Sequence, residues 1–301
     1  PNNNEEFAVG SWGKGLFTFD ANGFDNAYNQ SNSSLTPNST YSHIMRLGGV
    51  AYDSKNNLWV ASAVSNALLH KRKPSGEWSA YEFGGWSAYD IKDMLADKRD
   101  VLWIVLRGGG ANMLFAFDES QAANQQLKGL NSNPGTGNLP GSQVLSVLSD
   151  LNGELWVGTD KGIGVIYQPE NIFNQNNVDA QRIIVERDGY AQYLLDSEKV
   201  KAMAIDGANR KWIGTERAGV FLISADGQQE LQHFTSENSP LYSNNITALG
   251  VNDQGEVYIG TDKGLLVYKG SATKGNQENF NDVYAYPNPV RPDYLGPIAI
   301  K

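Results

Sequence analysis

Residues 138–162 read NLPGSQVLSVLSDLNGELWVGTDKG, and this stretch decides how the 301-residue chain folds. Apolar and polar positions alternate over two short segments, which predicts two strands that each bury one face. Asp150 opens the turn between them, Gly153 follows three residues later, and Trp156 follows six residues after the Asp. The second turn, GTDKG, leads into another apolar segment, so the unit predicts at least three consecutive antiparallel strands.

The same unit recurs along the chain. In five copies an Asp or Asn precedes an aromatic residue by six positions: Asp53 and Trp59, Asp97 and Trp103, Asp150 and Trp156, Asp206 and Trp212, and Asn252 and Tyr258. Residues that tolerate a positive φ stand three positions after each Asp or Asn, namely Asn56, Asp100, Gly153, Asn209 and Gly255. A sixth copy at 7–17 matches the second strand, the turn and the third strand, and lacks the first strand.

A unit of about 45 to 55 residues with four short antiparallel strands is typical of a propeller blade. One such sheet cannot bury both faces alone, so the blades must stack, and we expect the repeated Trp between neighbours. We predict an all-β fold, a β-propeller of four-stranded antiparallel blades, with six or seven blades and an incomplete ring as one alternative. The only segments with weak helical character, 170–177 and 190–200, lie between blades.

The predicted domains are a propeller over 1–270, whose first blade is incomplete, and a second segment over 271–301. This second segment carries Pro287, Pro289, Pro292 and Pro297. Because proline fixes φ and removes a donor, the segment cannot be a central strand. We interpret it as a rigid junction and the start of a truncated C-terminal β-domain.

Composition excludes several classes of function. The net charge of −9 argues against a nucleic-acid partner, since phosphate binding needs clustered Lys and Arg. The densest basic run, 71–73, is interpreted as a solvated hairpin end. The chain has no Cys, which excludes disulfides, thiolate metal sites and Cys nucleophiles, and it has no run of 18 apolar residues that would predict a membrane span.

Residues 138–162 resemble the two-component-regulator propeller repeat, and the copy at 245–265 is similar to it as well. The resemblance covers about 7–269 and implies a propeller fold. It does not specify one function, because this repeat family is best known in periplasmic sensor regions of Bacteroidetes hybrid histidine kinases that bind glycan fragments, and it also occurs in surface proteins.

The tail at 281–301, with its Tyr-Pro-Asn-Pro element at 286–289, resembles the start of the C-terminal domain in PorZ-like surface β-propeller proteins of the type IX secretion system. This resemblance implies an exported, non-catalytic protein at the cell surface, associated with the outer membrane or periplasmic, whose signal peptide is not in this chain. It implies a role in sorting, processing or anchoring secreted cargo, with other secretion-system or surface proteins as partners. Lipopolysaccharide or a glycan is the candidate ligand.

Two other functions are also compatible with the sequence. One is a periplasmic glycan-sensing propeller of a hybrid two-component system. The other is a propeller lyase or glycosidase, which would need titratable side chains that converge on the mouth of the channel. The sequence does not display such a set, so we assign no catalytic residue, metal or cofactor.

The titratable residues either occupy equivalent positions in several repeats or lie far apart in the repeat pattern. His43, His70 and His233 lack the spacing of zinc ligands, and His43 is the one that a lyase would use. Three acidic residues occupy equivalent turns: Asp160, Glu216 and Asp262. The repeat explains these carboxylates without catalysis.

Departures from the repeat suggest where a ligand binds. In a propeller, the turns between second and third strands share one face with the loops that lead into the first strands. On that face the second repeat carries Trp86, Tyr89 and Arg107, and the loop of the fourth repeat carries Tyr190 and Tyr193. Aromatic rings and an Arg suit sugar stacking and an anionic group. Ordinary packing between blades is the alternative explanation.

Overall fold

The computed structural model describes residues 6–83, 89–108, 111–175, 177–187, 189–274, 285–286 and 299–300. These residues form 25 strands and one short 3-10 helix, Pro169–Asn171. The strands form antiparallel sheets that follow one another along the chain, which confirms the all-β prediction.

The first three sheets contain the following strands. Sheet 1 comprises β1 (Phe7–Gly10), β2 (Leu16–Asp20) and β3 (Gly23–Tyr28). Sheet 2 comprises β4 (Leu47–Tyr52), β5 (Leu58–Ser62), β6 (Ala67–Arg72) and β7 (Trp78–Glu82). Sheet 3 comprises β8 (Asp90–Ala96), β9 (Leu102–Gly108), β10 (Ala111–Phe117) and β11 (Leu127–Leu130).

In the remaining sheets the strands again pair in chain order. Within the described residues sheet 5 has the predicted four strands, like sheets 2 and 3, whereas sheets 1, 4 and 6 have three, and a hairpin is inserted after sheet 4. Sheet 4 comprises β12 (Val144–Ser149), β13 (Leu155–Thr159) and β14 (Gly162–Ile166), and a separate hairpin of β15 (Ile184–Arg187) and β16 (Tyr190–Tyr193) follows it. Sheet 5 comprises β17 (Val200–Ile205), β18 (Lys211–Thr215), β19 (Val220–Ile223) and β20 (Glu230–Phe234). Sheet 6 comprises β21 (Ile246–Val251), β22 (Glu256–Thr261) and β23 (Gly264–Lys269).

Sheets 2 to 6 pack side by side through their first strands. Strand β4 contacts β8, β8 contacts β12, β12 contacts β17, and β17 contacts β21. Consecutive sheets from 2 to 6 therefore contact each other through their first strands. This is the packing of a propeller-like fold.

The repeated Trp side chains fill the interfaces between sheets, as the sequence predicts. The four Trp residues of sheets 2 to 5 are at most 2% exposed: Trp59, Trp103, Trp156 and Trp212. Trp59 packs against Phe117 of sheet 3, with ring centroids 5.6 Å apart, and Trp212 packs against Tyr268 of sheet 6 at 5.5 Å. Trp103 and Trp156 likewise join buried clusters that extend into the next sheet.

The Asp of the repeat binds both the turn and the Trp. One carboxylate oxygen of Asp53 accepts N–H groups of its own turn, and the other accepts the indole N–H of Trp59 at 2.9 Å. The same indole bond joins Asp97 to Trp103 at 3.1 Å and Asp206 to Trp212 at 3.3 Å. All five turn residues predicted to have positive φ do so: Asn56 (60°), Asp100 (66°), Gly153 (84°), Asn209 (58°) and Gly255 (74°).

Sheets 4 and 5 are joined by a buried ion pair that replaces this indole bond. The ammonium of Lys211 lies 2.9 Å from Asp150 Oδ2, and both side chains are 0% exposed. The same ammonium lies 4.4 Å from the ring centroid of Trp156. Burial alone would raise the pKa of Asp150, but the hydrogen bond and charge of Lys211 hold that pKa below its ordinary value.

The interpretation of the basic run at 71–73 as a solvated hairpin end is wrong for two of its three residues. Lys71 is buried and pairs with Glu119, which follows β10 of sheet 3. Arg72 pairs with Glu6, directly before β1 of sheet 1. Only Lys73 is exposed. The run lies where the third strand of sheet 2 contacts both neighbouring sheets. The interpretation as a solvated hairpin end did not take those contacts into account.

The outer faces of the first and last sheets expose apolar residues. On sheet 6, Leu265 is 62% exposed and Val267 is 53% exposed. On sheet 1, Phe7, Val9 and Phe24 are 49%, 51% and 63% exposed. In the part of the chain that the structure describes, these faces therefore lack the covering sheet that the interior sheets have.

Some predicted segments differ from the structure, and another lies mostly outside the described residues. The weak helical character at 190–200 is wrong at its start, because β16 is a strand, and the 3-10 helix Pro169–Asn171 overlaps only the start of the described part of the 170–177 candidate. In the predicted junction, β24 (Ala285–Tyr286) pairs with β25 (Ala299–Ile300). Most of 271–301 lies outside the described residues, so the domain boundary at 270 stays a prediction.

Candidate functional site

One end of the sheets carries both the turns between second and third strands and the loops that lead into the first strands, here called lead-in loops. Three sheets share a bond from the turn N–H to a lead-in carbonyl: Asp160 to Gln143, Glu216 to Lys199, and Asp262 to Asn245. The carboxylates hold the same loops. Asp160 accepts the N–H of Gln143 at 3.0 Å, and Glu216 pairs with Lys199 at 3.1 Å. These carboxylates therefore hold the lead-in loops in place, a structural role that the sequence reasoning did not predict.

Arg107 and Tyr89 lie at this end of sheet 3. The guanidinium of Arg107 pairs with Asp90 at 2.8 Å, and its side chain stays 47% exposed. Tyr89 is half-buried against the cluster between sheets 2 and 3, and its carbonyl accepts the N–H of Val64 at 2.8 Å. Arg107 is thus open to a ligand, while Tyr89 also contributes to packing.

Tyr190 and Tyr193 lie on the β15–β16 hairpin. Tyr190 is 77% exposed, so its ring is accessible to a ligand. The guanidinium carbon of Arg182 lies 3.9 Å from the ring centroid of Tyr193, a cation–π contact on one face of that ring, and Tyr193 is 41% exposed.

The structure brings the predicted ligand-binding residues together in two pairs. Tyr89 and Arg107 belong to sheet 3, and Tyr190 and Tyr193 belong to the hairpin. The fifth predicted residue, Trp86, lies outside the described residues. Tyr89 packs toward sheet 2, whereas Tyr193 lines a groove beside sheet 5, so the pairs face different neighbours.

A recurring β-bulge adds a cationic feature that the sequence reasoning missed. Near the start of every first strand in sheets 2 to 6 one residue is left out of the pairing: Gly48, Lys92, Leu145, Lys201 and Thr247. The Lys92 ammonium donates to the carbonyl of Leu145. Burial, with the nearby charges of Lys201 and Arg107, lowers the pKa of Lys92 to about 8, although the charge of Asp93 acts in the opposite direction. We call Lys92, Lys201 and Arg107 the cationic patch. In the sequence, Lys92 and Lys201 each stand five residues before the repeated Asp, and this shared position is the signal that could have identified them.

The three histidines occupy separate environments. His70 is fully buried, with Nε2 3.1 Å from the Ala67 carbonyl and Nδ1 3.1 Å from the Ser34 hydroxyl, and burial lowers its pKa to about 4. His43 is exposed in a loop, and His233 lies on β20. Within the described ranges, no group of three or more His, Asp or Glu side chains is placed to hold a metal ion.

These sheets and their interfaces define a propeller-like β-protein. No protein-family model and no curated protein sequence matches the chain. Among solved structures, the chain is similar to PorZ, an essential bacterial surface component of the type IX secretion system of Porphyromonas gingivalis. The similarity has 27% identity and a TM-score of 0.81, and it covers 100% of this chain and 42% of PorZ. The expected resemblance to PorZ-like proteins is thereby confirmed, over a chain that spans less than half the length of PorZ.

Two enzymes share the fold at lower similarity. Virginiamycin B lyase from Staphylococcus aureus has 12% identity and a TM-score of 0.50, over 88% of this chain and 74% of the lyase. A gluconolactonase from Xanthomonas campestris has 11% identity and a TM-score of 0.52, over 85% of this chain and 78% of the enzyme. Similarity at this level shows the fold alone. No helix in the described part of the chain has the length and hydropathy that crossing a membrane would require.

Proposed function

We propose that this chain forms a non-catalytic β-propeller that acts as a binding and scaffold module of the type IX secretion system at the cell surface. The observation that carries the proposal is the similarity to PorZ over the whole chain, with a TM-score of 0.81. The proposed architecture is a ring of six or seven blades, to which sheets 1 to 6 contribute. The proposed partners are other secretion-system or surface proteins, and the proposed role is to help sort, process or anchor secreted cargo.

The geometry of the titratable groups supports a non-catalytic role. Asp160 and Glu216 are engaged with the lead-in loops, and His70 is enclosed in sheet 2. A hydrolase or lyase needs an acid and a base within reach of one substrate. Each of the two carboxylates is held by the lead-in loop of its own sheet and the imidazole is buried, so none of the three is placed as a free acid or base.

The cationic patch supports an anionic glycan, such as the saccharide part of lipopolysaccharide, as the ligand. Lys92 and Arg107 are close enough for the charge of Arg107 to lower the pKa of Lys92. A phosphate or carboxylate beside them would relieve this repulsion and accept charge-assisted hydrogen bonds. The exposed ring of Tyr190 offers a surface on which a sugar can stack.

Deletion of the gene in the source bacterium tests the secretion role. We expect secreted cargo to lose its processing and its attachment to the surface, and we expect the intact gene to restore both. Protease treatment of whole cells should degrade the protein if it lies at the surface. Normal cargo at the surface of the deletion strain would contradict the proposal.

A binding measurement with purified lipopolysaccharide from the same bacterium tests the ligand separately. We expect Arg107→Gln to weaken binding about tenfold, because one charge-assisted contact is lost. Arg217→Gln is the matched control, since Arg217 lies on the corresponding turn of sheet 5 and is 86% exposed. If the two variants bind lipopolysaccharide with equal affinity, or if the protein cleaves the polysaccharide, this assignment is wrong.

A further inference from the structure

A groove of about 500 Å³ lies between the β15–β16 hairpin and the outer strands of sheet 5. Val185 and Gln192 line it from the hairpin. The opposite wall is rigid, because the ring of Phe221 stacks on the imidazole of His233 with centroids 3.9 Å apart. The imidazole Nε2 of His233 lies 2.6 Å from the carbonyl of Ala218, which fixes the turn above it.

Four carboxylates line this groove, which we call the acidic groove: Glu186, Asp196, Glu198 and Glu230. The residues that line it include no Lys and no Arg. Across the described ranges, none of the four forms an ion pair, although Glu216 on a nearby turn of sheet 5 pairs with Lys199. The lining of the groove therefore carries four carboxylates and no Lys or Arg, and it attracts a cation. The guanidinium of Arg182, which lies against the ring of Tyr193, is a cation beside this lining.

The distribution of the carboxylates determines what kind of cation fits. They are spread from the hairpin, through the loop at 196–198, to β20 of sheet 5. Within the described ranges they do not converge as a metal site would require. A linear ligand with several positive charges matches this spread better than a single ion does.

Two of the strands that line the groove, β15 and β20, each have an edge that an extended peptide can pair with. Strand β20 pairs only with β19, and β15 pairs only with β16, within the described residues. Each strand thus has an edge whose backbone groups can bond to a further strand. The aromatic side chains of Tyr193 and Phe221 lie in the same groove and can pack against the aliphatic stems of Lys or Arg.

We propose that the acidic groove binds an extended peptide segment that carries several Lys or Arg residues. The peptide lies between the hairpin and β20, its cationic side chains face the four carboxylates, and its backbone bonds to a free strand edge. This site goes beyond the proposed secretion role and does not depend on it.

Fluorescence anisotropy with two labelled peptides tests the site. The first is an acetylated hexapeptide of alternating Leu and Arg, and the second is its counterpart of alternating Leu and Glu. We expect the Arg peptide to bind in a salt-dependent manner and the Glu peptide not to bind. Hydrogen exchange should show new protection in 230–234 or 184–187 when the Arg peptide is bound.

Two double variants with the same change in charge identify the groove as the location. Glu198→Gln combined with Glu230→Gln should weaken the Arg peptide about tenfold. The control combines Glu237→Gln and Asp253→Asn, which remove the same charge from exposed positions outside the groove, and should change binding less than about twofold. Equal weakening by both pairs would mean a non-specific charge effect and would overturn the proposal. Competition by spermine at equal affinity, or binding without strand-edge protection, would exclude a peptide as the ligand.

Discussion

The interface between sheets 5 and 6 and the outer face of sheet 6 place the same repeat positions in two different environments. In the interface, Trp212 is 0% exposed and packs between Phe234 and Tyr268. On the outer face, Tyr258 occupies the same repeat position and is 37% exposed. Strand β19 is buried along its whole length, whereas on β23 Leu265 is 62% exposed.

The chemistry of the two positions changes with their exposure. An Asp and a Trp form a buried hydrogen bond in sheet 5, whereas Asn252 and Tyr258 replace them in sheet 6. A phenol can keep its hydroxyl in water while its ring covers the strands below. The comparison indicates that each sheet depends on the next one for the burial of half its core, as in other repeat proteins.

Removal of the aromatic ring at position 212 and at position 258 should give the largest difference in the free energy of unfolding. We expect Trp212→Ala to lower the free energy of unfolding by about 3–5 kcal/mol, because it empties a packed interface. Tyr258→Ala should lower it by less than about 1 kcal/mol, since part of that ring already faces water. Equilibrium unfolding in urea measures both. Similar losses for the two variants would show that the outer face is packed after all.

A second test concerns the buried ion pair. Lys211→Met leaves Asp150 buried without its partner, and we expect a loss of about 3 kcal/mol or more in the free energy of unfolding. Lys263→Met, on the exposed turn of sheet 6, should change that free energy by less than about 0.5 kcal/mol. Adding Asp150→Leu to Lys211→Met should recover much of the stability. If it recovers none, the loss arises from packing on Trp156 and not from the unpaired carboxylate.

The burial of His70 should also make the free energy of unfolding depend on pH. The pKa of His70 is lowered to about 4, so between pH 4 and pH 6.5 the unfolded chain binds a proton that the folded protein excludes. The contribution of His70 is complete above pH 6.5 and falls as the pH decreases, by about 3 kcal/mol in total by pH 4.

Urea unfolding at a series of pH values measures this slope. His70→Gln should flatten it, whereas His43→Gln should leave it unchanged because His43 is exposed. An unchanged slope in His70→Gln would mean that water reaches the interior of sheet 2.

The smallest effect is expected on the outer face of sheet 6. Val267→Ser should change the free energy of unfolding by about 0.5 kcal/mol or less, because Val267 is 53% exposed. Leu222→Ser, at the equivalent buried position of sheet 5, should cost about 2–5 kcal/mol. A large loss in Val267→Ser would reveal that another sheet covers this face in the protein under the conditions of the measurement.

Local features of the repeat could be predicted from sequence because their causes are local. The positive φ of Asn209 follows from the turn that Asp206 closes three residues earlier. The burial of Trp212 follows from the need to cover a sheet that is apolar on both faces. By contrast, the β15–β16 hairpin has no counterpart in the described residues of the other repeats, so no comparison between those copies could reveal it.

The candidate site was only partly predictable for the same reason. Arg107 stood out because it interrupts the repeat, and the structure shows that its side chain remains accessible. Lys92 and Lys201 did not stand out, because their meaning depends on a bulge that removes each from strand pairing. The charges of the acidic groove come from segments as distant in sequence as Glu186 and Glu230, and no spacing rule connects them.

By itself, the sequence determined the strand–turn unit, its repetition and the buried place of the indole rings. Hydrogen bonds within one turn and the two-residue period of a strand are short-range causes that any copy displays. Tertiary structure alone decided which charges meet, such as Lys211 with Asp150, and which faces stay open, such as that of Tyr258. Those outcomes depend on which sheets lie against each other, and no single copy of the repeat contains that information.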